Sequence, residues 1–76
     1  MTNITRFKLD VLCHLPDYKA TVQPKEGSFY PMDFESKGIV AKILVSPSLI
    51  KKRDKSIPET IARAIQETVR ARLFNV

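Results

Sequence analysis

An α+β fold is predicted by two stretches that differ in periodicity. Across most of positions 5 to 45 apolar and polar residues alternate, with Pro and Gly punctuating the alternation. From 57 to 74 apolar residues recur every four positions behind a helix-start signature. An antiparallel, meander-like sheet of three or four strands, with one C-terminal amphipathic helix packed on one face, accommodates both. A chain of 76 residues suffices for one domain, 1–76.

The first strand is expected over roughly 5–15. Phe7, Leu9, Val11, Cys13 and Leu15 fall on one side, and Arg6, Lys8, Asp10, Leu12 and His14 on the other. Pro16 and Asp17 bring turn chemistry. A short returning strand over 18–23 would put Tyr18, Ala20 and Val22 on one face. The turn at 24–27 follows, with Gly27 supplying a left-handed position. A third strand over 28–35 alternates Tyr30, Met32 and Phe34 inward. Pro31 lacks a ladder donor, which points to a sheet edge or a bulge. After Ser36–Gly38, read as a hairpin loop with a bulge, comes the strongest strand signal, 38–45. Ile39, Ala41, Ile43 and Val45 line one face, Val40 and Leu44 the other, a pattern expected of a central strand. The connector 46–56 is basic and has room for one helical turn begun by Ser46 and Pro47. The helix 57–74 is introduced by Ser56 and Glu59 at capping-box spacing, with Pro58 in the first turn. Its stripe is Ile57, Ile61, Ile65, Val69 and Leu73, with Ala62 beside it. This stripe and the Phe7–Leu15 stripe are expected to form the core between them.

Bulk composition narrows the class of protein. At 43% hydrophobic and 28% charged residues the chain is of ordinary globular type. One cysteine excludes an intramolecular disulfide, and one Cys with one His falls short of a structural zinc site. No cofactor fingerprint is present, so no cofactor and no metal are expected. Arg6, Lys8 and Asp10 interrupt the apolar stretch near the start, against a signal peptide. No run approaches the roughly 20 apolar residues that span a bilayer. A lone thiol suits a reducing cytoplasm.

Candidate chemistry is sparse. Cys13 and His14 are adjacent, but neighbours in a strand project to opposite faces, so Cys13 is expected buried and His14 exposed. The eight carboxylates show no pairing of the kind that acid–base catalysis uses, and Glu59, Arg63, Glu67 and Arg70 form a ladder of helix ion pairs. The chain is therefore read as a non-enzyme.

Two surfaces remain. Seven of the thirteen basic residues lie between 51 and 76, against three acids, so most of the net +5 sits in the last third. Lys51, Lys52, Arg53 and Lys55 precede a helix N-terminus, where backbone N–H groups also favour anions; with Arg63 and Arg70 they are candidate nucleic-acid contacts. Against this, no aromatic residue interleaves the run. The second surface is apolar. By parity Leu12, Val40 and Leu44 point away from the helix, and Leu49 and Ile50 add to them, a candidate interface that a partner would cover. The preferred expectation is a small protein of adaptor or inhibitor type, acting through protein–protein contact as a homodimer. The alternative is a nucleic-acid-binding accessory protein using 51–55 and the helix start.

Overall fold

A computed structural model describes residues 3–52 and 54–74. The element order is α1 (Asn3–Leu12), β1 (Lys19–Val22), β2 (Tyr30–Ser36), β3 (Ile39–Val45), α2 (Pro47–Lys51) and α3 (Ser56–Phe74). Three antiparallel strands run side by side in sequence order, β1-β2-β3, so the chain is α+β with its long helix at the C-terminal end. Helix α1 lies against β1, α3 lies against β3, and the two helices touch each other.

The stretch expected as a strand over 5–15 is instead helical as far as Leu12. Two periods coexist there, and the longer one wins. Phe7, Val11 and Leu15 are four apart and all buried, and Ile4, three residues before Phe7, packs against them. The residues peculiar to the alternation, Leu9 and Cys13, are exposed. The helix tightens at its end, where His14 N–H donates to the Val11 carbonyl and Leu15 N–H to that of Leu12. Pro16 then disfavours continuation.

The strand expected to be central lies at the sheet's edge. Strand β2, which carries Pro31, is central, and β3 is the edge. Pro31 is tolerated by register. It stands opposite Leu44 at a position whose backbone polar groups face β1, not β3, and its carbonyl accepts from Gln23 N–H at 3.0 Å. Its missing donor therefore falls just past the end of β1, at Val22, and costs one reciprocal bond. The β2–β3 hairpin closes without a bulge, through Lys37 and Gly38 at φ 54° and 79°. That pair of left-handed residues matches the twist of the flanking strands.

Met32 and Phe34 of β2, fully enclosed, share a face with Ala41 and Val45 of β3. Phe7, Val11 and Leu15 close over that face from the N-terminal side, Ala62, Ile65 and Val69 from α3, and Ile50 from α2. The buried stripe of α3 is rotated from the expected one, with Pro58 and Ala62 inside, Ile57 and Ile61 half-buried and Leu73 exposed.

With both helices on one face, the reverse face carries Lys19 and Thr21 from β1 and Gln23 just past it, Pro31, Asp33 and Glu35 from β2, and Val40, Lys42 and Leu44 from β3. The expected apolar reverse side is thus polar over most of β1 and β2, where Gln23 Nε2 donates to Asp33 Oδ2 at 3.0 Å. On the strands themselves its exposed apolar side chains are Val40 and Leu44 of the edge strand, with Phe29 exposed just before β2.

The helical assignment of α1 is testable by two substitutions. Leu9→Gln is expected to shift stability by no more than about 0.5 kcal/mol, as for an exposed position. Val11→Ala is expected to cost about 2 kcal/mol, the lost burial plus a residual cavity. In a strand the two side chains would share a face and cost comparably, so similar losses in urea unfolding would contradict the helix.

Candidate functional site

The free edge of β3 is the most exposed apolar part of the sheet. Val40 is 42% and Leu44 56% accessible. Because the carbonyls of alternate residues point alternately, Val40, Lys42 and Leu44 direct their backbone groups outward, while Ile39, Ala41, Ile43 and Val45 bond to β2. One outward carbonyl is occupied: Arg72 of α3 donates from Nη1 to the Val40 oxygen at 2.7 Å. Between this edge and α3 runs a groove of about 260 Å³, walled by Leu44, Leu49, Ile61, Ala64 and Thr68. The Thr68 hydroxyl is turned back to donate to the Ala64 carbonyl, which leaves that wall apolar. The only charged residues lining the groove are Lys42 and Arg72, and neither has an ion-pair partner among the described residues. Lys42 stands opposite Asp33, whose Oδ2 accepts from Gln23 and whose buried Oδ1 has no hydrogen-bond partner among the described residues.

Of the five expected interface residues, Val40 and Leu44 are exposed together, and Leu49 lies half-buried in the adjoining groove. The other two belong elsewhere. Leu12 sits on α1, partly buried against the core, and Ile50 is itself a core residue at 6% exposure. Both follow from local helices, at 3–12 and 47–51, that a strand-and-loop reading places differently.

The basic candidates are dispersed. Lys51, Lys52 and Lys55 are exposed, and Arg53 lies outside the described residues. Lys51 borders a depression with Asn3 and Tyr30, whereas Lys52 and Lys55 border a different cleft. Arg63 is paired with Glu59 at 3.4 Å, the one rung of the expected ion-pair ladder that forms. Arg70 is fifteen residues along from Lys55, about 20 Å of helix at 1.5 Å per residue. The anion position at the start of α3 is filled from within. Asp54 Oδ1 accepts from the Ser56 backbone N–H at 2.9 Å and from its hydroxyl at 2.7 Å. Those two bonds, the hydroxyl's first, hold the Asp54 carboxyl below its usual value. Asp54 thus takes the capping role expected of Ser56.

Cys13 and His14 differ from expectation as well. The thiol is exposed, not buried, and both side chains border one cleft of about 450 Å³ between α1 and the start of α3, with Arg6, Asp10, Lys52 and Glu59. No hydrogen bond joins the thiol to the imidazole. Three cations face three carboxylates around the cleft, so it holds no strong excess of either sign. Among the described residues no group of three or more His, Cys, Asp or Glu is placed to hold a metal ion, and no helix is long and apolar enough to cross a membrane. No family model, curated protein or solved structure matches the chain.

The sequence places Arg72 in the last turn of the helix, where a cation complements the dipole, and attaches no role to Lys42. A single lysine in the middle of an otherwise apolar strand is a usable signal, because edge strands are commonly guarded that way.

Two measurements check this description. The Asp54 carboxyl is depressed in the folded state, so its contribution is complete above the unfolded carboxylate range and disappears as pH falls through the folded value. The melting-temperature gap between wild type and Asp54→Ala should therefore be open at about pH 6 and close toward about pH 2; a gap independent of pH would remove the cap. Cys13 in the native chain should react with Ellman's reagent as fast as in urea, whereas a protected thiol would place it in the core.

Proposed function

We propose that this chain is a small non-enzymatic protein that acts through protein–protein contact, and that the contact is made by adding a strand to the free edge of β3. The observation that carries the reading is the coincidence, on one seven-residue strand, of outward backbone groups, bare Val40 and Leu44, and a parallel apolar groove. An added strand gains main-chain hydrogen bonds from the edge and places alternate side chains in the groove. The self-association expected from the sequence is one use of such an edge, and a strand from another protein is a second. We place the protein in the cytoplasm, where an exposed single thiol stays reduced.

The alternative of nucleic-acid binding draws less support. Its cations face separate depressions, and Asp54 already occupies the helix N-terminus.

The test uses backbone chemistry. Leu44→Pro removes an outward donor at a position that does not bond β2, so the β2–β3 ladder is retained. Extended peptides selected from a random library on the wild-type chain should lose binding to Leu44→Pro, and any self-association seen by light scattering should vanish with them. Binders that ignore this substitution, or a chain that neither self-associates nor selects a peptide, would defeat the reading; circular dichroism verifies that the variant folds.

A further inference from the structure

The edge of β3 carries information about what it accepts. Lys42 is the midpoint of Ile39–Val45. If a second copy added its own β3 antiparallel and in full register, Ile39 would meet Val45, Val40 would meet Leu44, and Lys42 would meet Lys42. Like charges directly opposite each other on a sheet are destabilising. Two copies also bring together net charges of +5 each. The apolar neighbours Val40 and Leu44 match themselves well across such a pairing, so the lysine is the element that opposes it. Arg72, whose guanidinium sits on the Val40 carbonyl, must move for any incoming strand and does not by itself choose between them.

We infer that the edge is built for a strand of another protein that carries a carboxylate opposite Lys42, flanked on the same face by apolar residues that meet Val40 and Leu44. This deepens the strand-addition reading and rests on it. The intervening residues of that strand point to the other face, into the groove beside Leu49 and Ala64, and are apolar. Arg72 leaves Val40 as the strand docks, and the groove's two cations then face an acidic partner, with no acid among the groove's own lining residues and Asp33 beside Lys42 across the sheet. The edge thereby repels its own kind and attracts an acidic extended segment, using one residue for both purposes.

The probes are two seven-residue peptides on a soluble polar tail, alike except at the centre. One has glutamate there and the other lysine, with valine on either side at the same-face positions. Fluorescence anisotropy with the wild-type chain should show the glutamate peptide binding about five- to tenfold more tightly, the scale of one cross-strand charge pair reversed. Lys42→Glu, an exposed substitution, should invert that preference. Lys42→Val should abolish it and let the chain dimerise in light scattering where wild type stays monomeric. Equal binding of both peptides, lost in Leu44→Pro, would overturn the charge code and leave strand addition standing. A wild-type dimer lost in Leu44→Pro, with no peptide binding, would make the second copy the occupant and overturn the inference alone. No binding and no dimer would overturn both readings.

Discussion

The side chains of Met32 and Phe34, enclosed on the middle strand, are the surface on which both long helices close. Neither helix has enough apolar surface to stand alone, and helical stability in so short a chain comes mainly from packing. A small domain also has little surface to hide, so it concentrates its burial on one side of the sheet. Every other feature follows from that concentration: a polar reverse face, an edge strand with bare apolar residues, and connectors drawn into the core through Ile50. The Val11 side chain from α1, Leu15 just after it, and Ile65 and Val69 from α3 supply the other half of the contact.

Much of this was legible in the residues, and the errors share a cause. Strands β1, β2 and β3 and helix α3 were expected within a few residues of where they lie, because alternation, turn chemistry and four-residue spacing were each unambiguous there. Over 5–15 they were not. Phe7, Val11 and Leu15 satisfy a period of two and a period near four equally well, and only their partners decide between them. Packing against α3 rewards the helix, because a helix can present Ile4 on the same side. The place of β2 in the sheet was left open for a similar reason. Pro31 in isolation points to an edge or a bulge, but what it demands is only that nothing need its absent donor, and the early end of β1 meets that condition in the centre of the sheet.

For the surface, sequence parity correctly set Val40 and Leu44 apart from the core-facing residues of β3, since alternation along a strand needs no knowledge of its neighbours. Leu12 and Ile50 were misassigned because their burial depends on helices that place them against distant residues. Asp54 could have been recognised as the cap, since it lies two residues before Ser56 in an acid-poor basic run and acids favour helix starts. Arg72's bond to the Val40 carbonyl spans 32 positions and has no local signature. The groove itself belongs to the pairing of β3 with α3 and exists in neither element separately.

The sheet's strands are joined in simple succession, each to the next, within residues 19 to 45. Such connectivity keeps the separation between paired residues short, so closing the hairpins costs little chain entropy. The meander can assemble early and quickly, as chains rich in local contacts do, and then serve as a template on which the two terminal helices collapse. Until α3 arrives, the β3 edge has neither its arginine nor its groove. In a sheet formed ahead of that helix, Lys42 is the residue left to guard the edge.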